Sequence, residues 1–237
     1  MVSRGWGTVI NSEICFKFAR ERLKANFTFY VLGFFIYSMA QQALGVVPQF
    51  LAQMILAAEP STEDVGFIIL GVGGFVALSF LLSLPLMPLK VGYTKGIRKE
   101  VVGEGSGELT DLFSEFRNSI PVVFNLVVAG AVVMLGFLCL VVPGLLLMPL
   151  PYLTAYLLAG GQTSGLDAVT SAWSLLWKNP VLILWTFVFG IISLLGLLAC
   201  CVGAYVSFPF ALAAYCKMIQ QAIDAGLELR EPPPLPV

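Results

Sequence analysis

Few residues in this chain have side chains that could catalyse a reaction or hold a metal ion. The 237 residues include no histidine, the commonest general base, proton shuttle and metal ligand near neutral pH. Acidic and basic residues also stay out of the middle of the long apolar runs. Because ionisable groups inside membrane segments mark proton relays and ion pathways, we expect no enzyme, no cofactor and no metal site.

Cysteines are the remaining reactive side chains, at Cys15, Cys139, Cys200, Cys201 and Cys216. They show no C-x-x-C spacing, which argues against a metal site. Cys139 and the Cys200–Cys201 pair fall near the same predicted membrane face, so a disulfide is one interpretation in an oxidising compartment. Packing as small apolar residues is the favoured interpretation.

Amide side chains supply most of the polarity expected at membrane depth: Asn125, Gln41, Gln42, Gln49 and Gln53. Such groups could line the path of a small solute or bind a lipid headgroup. More often they satisfy one another or the backbone of kinked helices. The structural role is therefore the favoured prediction.

Four long charge-free runs must position these side chains, at 25–58, 65–89, 118–166 and 179–216. A bilayer core takes about 20 apolar residues per helix, so the second run predicts one span and the last two predict two each. Turn-forming residues at Pro143–Gly144 and at 201–203 divide those last two runs into hairpins. With one span in the first run, the sequence predicts six spans, at about 27–47, 65–89, 120–142, 145–161, 180–201 and 204–223.

Basic residues predict the orientation, because Lys and Arg near span ends are retained on the cytoplasmic side. They concentrate before the first span and in the loop at 90–117, while Glu59, Glu63 and Asp64 occupy the loop at the opposite face. Both termini are therefore predicted to be cytoplasmic. A net charge of −1 with only 11% charged residues leaves no field that would recruit nucleic acid.

Each pair of spans follows a short amphipathic segment that ends in a basic residue and an asparagine, at 11–26, 106–118 and 164–179. In the second segment, apolar residues that include Phe113 and Phe116 alternate at helical spacing with acids. Trp173 and Trp177 repeat the pattern in the third. We expect interfacial helices at about 106–118 and 164–178, anchored by these four aromatic residues at headgroup depth.

The second helix of each hairpin carries a proline followed five or six residues later by a tyrosine. These pairs are Pro88 with Tyr93, Pro151 with Tyr156, and Pro209 with Tyr215. A proline inside a span removes a backbone hydrogen bond, so we expect three kinked helices that meet at a common axis.

Glycines favour close helix packing in a bilayer, where packing drives association. The candidates are Gly71, Gly73, Gly74, Gly130 and Gly136. Packing within the chain is the favoured interpretation, and a surface for self-association is the alternative.

The carboxyl-terminal half resembles the bacterial YciC-like integral membrane proteins and their relatives, including the membrane domain attached to some glycerophosphodiester phosphodiesterases. The resemblance covers about residues 90–220 and is carried by Pro143–Gly144, Ala168, Ser171, Lys178–Asn179, Gly203 and Pro209. It implies a six-helix protein of the bacterial inner membrane. It implies little about function, since these families are largely uncharacterised, and it does not extend to the phosphodiesterase domain.

The sequence therefore predicts an all-α, polytopic membrane protein of six transmembrane helices in three hairpins with amphipathic interfacial helices. Residues 1–26 form a cytoplasmic amphipathic segment, 27–223 the transmembrane domain, and 224–237 a proline-rich cytoplasmic tail.

Two functions are consistent with this sequence. A non-catalytic scaffold or accessory subunit, associating with itself or another membrane complex among lipids, is the first hypothesis. The alternative is a channel or transporter for an uncharged solute or a lipid. A central cavity lined by Asn and Gln would favour transport, whereas a filled core with an exposed glycine-rich or aromatic face would favour the scaffold.

Overall fold

The computed structural model describes residues 10–57, 74, 78–79, 81–161, 166–199 and 203–228, and within them the chain has no strand. These residues form α1 (Ser12–Ala25), α2 (Gly33–Ala57), α3 (Leu86–Val102), α4 (Asp111–Ser114), α5 (Ser119–Cys139), α6 (Val141–Leu147), α7 (Leu150–Ala159), α8 (Asp167–Lys178), α9 (Val181–Ala199) and α10 (Ala204–Glu228). A π-helical turn, Thr28–Leu32, leads into α2, and a 3-10 turn, Glu115–Asn118, joins α4 to α5. The all-α class is confirmed.

Three helical stretches are long and apolar enough to cross a membrane: Thr28–Val46, Asp111–Cys139 and Val141–Ala159. The pair α8 and α9, bent by 97°, makes a fourth if it is counted as one broken span. This count covers the described residues, and most of the predicted second span at 65–89 lies outside them. Several apolar helices of this length indicate a membrane protein.

The helices α3, α7 and α10 form the centre of the bundle. Helix α3 packs against both α7 and α10, and the rings of Tyr152 and Tyr215 bring α7 against α10 with centroids 6.4 Å apart. The three tyrosines of the proline–tyrosine repeat, Tyr93, Tyr156 and Tyr215, are all buried in this core. The residues of the proline–tyrosine repeat therefore lie on three helices that pack together, although α3 begins only at Leu86, near the end of the predicted second span at 65–89.

The segment that begins at Lys90 was expected to be a loop, and this prediction is wrong. Residues 86–102 form α3, in which Val91, Tyr93 and Ile97 are fully or almost fully buried. Its charged residues lower the mean hydropathy of the segment, but several of them bond to residues outside this helix: Lys95 to Glu115, Lys99 to Asp111 and Glu100 to Tyr30.

The prolines predicted as kinks are placed differently from one another. Pro88 lies in the first turn of α3, and Pro151 lies in the first turn of α7. The first amides of a helix have no intrahelical acceptor, so a proline there removes no hydrogen bond. The chain instead breaks just before these residues, at turns that include Pro85 and Pro149, whereas Pro209 does stand inside α10.

The turn predicted at Pro143–Gly144 lies earlier in the chain, and the same rule explains the difference. Leu140 adopts an extended conformation (φ −166°, ψ 153°) between α5 and α6, and Pro143 falls in the first turn of α6. Gly136 faces Gly144 across this hairpin: a methyl group added at Gly136 would lie 3.1 Å from the Gly144 Cα. Gly136 therefore packs within the chain.

The predicted interfacial helix at 106–118 also needs correction. Only Asp111–Ser114 and the 3-10 turn are helical, and they run directly into α5. Asp111 and Glu115 were expected to face water, yet both are buried against α3. Phe113 and Phe116 do face outward, with their rings 6.0 Å apart.

The other predicted interfacial helix, 164–178, corresponds to α8, which begins at Asp167. Trp173 and Trp177 are exposed and pack edge to face at 5.7 Å, while the opposite face is buried. The side-chain amide of Asn179 donates to the Leu175 carbonyl at 3.3 Å and so closes the end of α8. The sharp bend follows at once, at Asn179–Pro180.

Candidate functional site

A cavity of about 430 Å³ opens between α2, the segment that leads into α3, and α3 itself. Its polar lining consists of Tyr37, Gln41, Gln49, Ser79, Ser83 and Lys90. Apolar side chains, including Leu126 of α5 and Pro151 of α7, complete the wall. We call this the Lys90 cavity, and its volume lies in the range of about 300–1,000 Å³ typical of small-molecule sites.

The sequence builds this wall by helical periodicity. Tyr37, Gln41, Gly45 and Gln49 recur every four residues and therefore share one face of α2. Ser79 and Ser83 repeat the four-residue spacing on the facing segment. This periodicity is the signal that could have located the cavity from sequence.

Lys90 is the cation of the cavity, and it is half-buried. Its ammonium lies 4.5 Å from the centroid of the Tyr152 ring, a cation–π contact. The next lysines along α3 are occupied: Lys95 pairs with Glu115 at 2.5 Å, and Lys99 pairs with Asp111. Neither ion pair found among the described residues includes Lys90, so its charge is available to a ligand.

All four predicted glutamines of α2 are exposed, and two of them, Gln41 and Gln49, line the open side of this cavity. Asn125 is fully buried, and its amide donates to the Pro121 carbonyl at 2.9 Å. The predicted amides therefore divide between the cavity and the satisfaction of helix backbone.

A second cavity, of about 290 Å³, lies between α7, α9 and α10. Aromatic and aliphatic side chains dominate its lining, among them Tyr152, Phe189, Phe208 and Tyr215. We call it the apolar cavity. Since Pro151 lines the Lys90 cavity and Tyr152 lines the apolar cavity, the two adjoin at neighbouring residues of α7.

Glu100 is the most deeply buried carboxylate among the described residues, at 2% exposure, and sequence reasoning missed it. It accepts hydrogen bonds from the Asn26 amide (2.8 Å), the Tyr30 hydroxyl (2.9 Å) and the Gly107 amide (3.0 Å). Three donors compensate for the loss of hydration around a buried charge. The cluster joins α3 to the junction of α1 and α2 and to the loop after α3.

Cysteine chemistry is limited by burial. Cys15 is fully buried, and this burial raises the pKa of its thiol to about 11, against a smaller lowering by Lys217. Its sulfur lies 3.5 Å from the Gln221 side-chain oxygen. Cys139 is exposed, while Cys200 and Cys201, its proposed disulfide partners, lie outside the described residues.

The glycines that were predicted to pack helices have different surroundings. Gly71 and Gly73 lie outside the described residues. Among the described residues, a methyl group added at Gly74 or Gly130 would meet nothing within 4 Å, so no close contact there accounts for either glycine. Close contacts occur at other glycines, among them Gly92 and Gly96 of α3, where a methyl group would overlap the Leu112 carbonyl and the Phe29 ring respectively.

The fold and the cavity together are those of an all-helical membrane protein with a mixed polar and apolar interior. No family model, no curated protein and no solved structure matches this chain.

Proposed function

We propose that this chain is a multi-pass membrane protein that binds a lipid or a small solute in the Lys90 cavity, as a step in moving that ligand within or across the membrane. The observation that carries the proposal is the Lys90 ammonium in a cavity lined by Gln41 and Gln49. A cavity with amide lining is the feature that distinguishes transport from scaffolding. The ammonium further favours a ligand with an anionic group, where the sequence alone favoured an uncharged one.

Ligand-induced stabilisation tests this function in mild detergent. Dioctanoyl phosphatidic acid should raise the unfolding temperature of the wild-type protein, since saturation at 100 times Kd adds about 2.7 kcal/mol. Dioctanoylglycerol, with the same chains and no charge, should raise it less. Lys90→Met should remove the difference, and Lys178→Met, which neutralises an exposed lysine of α8, should retain it. Equal stabilisation of wild type and Lys90→Met would contradict the proposal.

Scaffolding is the second candidate function, favoured by the open space around Gly74 and Gly130. Glycines at which an added methyl group would meet no atom of the described residues leave room for a helix of a second copy. Native mass spectrometry from mild detergent would then show an oligomer that Gly130→Leu weakens. A monomer in every mild detergent, together with saturable flux in proteoliposomes, would leave transport as the function.

We further propose the finer topology: six spans, both termini cytoplasmic, in the bacterial inner membrane. The apolar hairpins support the number of spans. The basic residues of α3 support the orientation, because Lys95 and Lys99 pair with acids just before α5 begins and so lie at one end of the bundle. Membership of the YciC-like family is part of the same proposal and rests on the residues quoted for the resemblance.

A further inference from the structure

Tyr152 lies where the two cavities adjoin. One side of its ring faces the Lys90 ammonium at 4.5 Å, and the residue lines the apolar cavity. Its neighbour Pro151 lines the Lys90 cavity. Tyr152 therefore contacts the cation of one cavity and lines the other.

The apolar cavity presents few polar atoms to a ligand. Thr186 is one of its polar wall residues, and its hydroxyl donates to the Leu182 carbonyl at 2.9 Å. The same oxygen lies 3.0 Å from the Tyr215 hydroxyl. Because these groups bond one another, the wall exposes mainly methyl, methylene and ring carbon. Such a lining suits a hydrocarbon chain.

The apolar cavity also has room at its helix α9 side. A methyl group added at Gly190, one of the lining residues, would meet nothing within 4 Å. Gly190 is an exposed residue at the edge of the cavity, so a larger side chain fits there without a clash among the described residues.

From this geometry we infer that the two cavities form one amphiphile site, which holds a phosphate or carboxylate headgroup at Lys90 and one acyl chain beyond Tyr152. The inference rests on the proposed function and names its ligand class: a single-chain anionic lipid. Charge and chain length are recognised in separate compartments, so each can be removed without the other.

Three probes test the two compartments separately. The full-length protein is placed in phosphatidylcholine nanodiscs, and probe binding is measured by native mass spectrometry after the protein is released from them. They are dodecanoyl lysophosphatidic acid, glycerol 3-phosphate and monododecanoylglycerol. The first should bind at least about tenfold more tightly than either of the others, since each buried methylene contributes about 0.8 kcal/mol and a charge-assisted hydrogen bond about 1.5–3 kcal/mol.

Two kinds of variant then test each compartment. Lys90→Met should reduce the affinity for lysophosphatidic acid to that of the neutral analogue. Gly190→Leu should weaken both chain-bearing probes by about tenfold and leave glycerol 3-phosphate unchanged. Ser193→Leu, one turn further along the same wall, should act like Gly190→Leu. Ser174→Leu is the control, because Ser174 is exposed on α8 and lines neither cavity.

The outcomes distinguish this inference from the function on which it rests. One outcome would overturn the amphiphile site and leave a site for free phosphate. In that outcome, Gly190→Leu and Ser193→Leu both bind lysophosphatidic acid as tightly as wild type does, while Lys90→Met still binds it more weakly. Failure of Lys90→Met to change any anionic probe would overturn the proposed function itself.

Discussion

The ammonium of Lys90 lies 4.5 Å from the centroid of the Tyr152 ring and thereby joins α3 to α7 at the boundary between two cavities. Among the described residues, this ring is the partner of the Lys90 charge. An anionic headgroup would compete with the ring for the same ammonium.

The first prediction concerns the energy of this contact. A double-mutant cycle of Lys90→Met and Tyr152→Leu should give a coupling of about 0.5–2 kcal/mol, the usual range for cation–π pairs. Tyr152→Phe should keep most of it, because the ring face is retained. The measurement is the free energy of unfolding in mixed micelles of dodecyl maltoside and dodecyl sulfate. Additive single-mutant effects would show that the contact contributes nothing.

The second prediction concerns Glu100. Replacing it with Ala leaves the Tyr30 hydroxyl and the Gly107 amide without their acceptor, while the Asn26 amide keeps the Gly107 carbonyl at 2.7 Å. Each buried unsatisfied group costs about 1–3 kcal/mol, so Glu100→Ala should lower the free energy of unfolding by at least about 2 kcal/mol or abolish folding. Glu104→Ala, an exposed residue one turn later, is the control and should change it by less than about 0.5 kcal/mol. Equal effects of the two changes would contradict the role assigned to Glu100.

The third prediction separates two classes of glycine. Gly92→Ala should destabilise the protein by about 1–3 kcal/mol, because the added methyl group meets the backbone of Leu112. Gly130→Ala should be neutral or stabilising by up to about 1 kcal/mol, since alanine favours helix and nothing lies within 4 Å. Unfolding of the two variants in the same mixed micelles provides the comparison. A neutral Gly92→Ala would mean that α3 and α4 can separate freely.

The fourth prediction follows from the thiol of Cys15. Only the thiolate reacts rapidly, and burial raises the Cys15 pKa to about 11, so the reactive form is scarce at neutral pH and increases as the pH rises toward that value. In detergent at pH 7.5, a variant with Cys15 as its sole cysteine should react with maleimide at least about tenfold more slowly than one with Cys139 alone. The rate at Cys15 should rise with pH, within the range where the fold persists. Equal rates at pH 7.5 would show that α1 detaches from α10.

Hydropathy and amphipathic periodicity predicted much of this fold. The apolar run that became Asp111–Cys139 and the amphipathic face of α8 with Trp173 and Trp177 were both visible in the sequence. The proline–tyrosine repeat marked three helices that pack together, whereas the burial of its tyrosines emerged only from the structure.

Helix ends were harder to predict, because a proline is compatible with a turn between helices, a kink, or the first turn of a helix. At Pro143 the outcome depends on where α5 ends, and that is set by the approach of Gly136 to Gly144. Such a contact between two helices is not encoded in either local pattern.

The candidate site was missed for a related reason. Lys90 follows an apolar run and precedes more basic residues, so its position in sequence suggests a loop. Its burial requires Gln41 on α2 and Tyr152 on α7, which are distant in sequence. Glu100 likewise takes its acceptor role from Asn26 and Tyr30, more than 60 residues earlier.

The last prediction tests the orientation of the chain. Ser61→Cys and Ser106→Cys, each in a variant without other cysteines, should be labelled by an impermeant maleimide from opposite sides of sealed vesicles. Ser61 lies beside Glu59, Glu63 and Asp64, in the loop predicted to be outside, while Ser106 is exposed in the loop after α3, near the basic residues predicted to be inside. Ser106 is preferable to Gly105, whose φ of 142° would strain any other residue. Right-side-out and inverted vesicles should give reciprocal patterns, which controls for differences in intrinsic reactivity. Labelling of both positions from the same side would require an even number of crossings between residues 61 and 106, and so would contradict both the single span at 65–89 and the six-span topology.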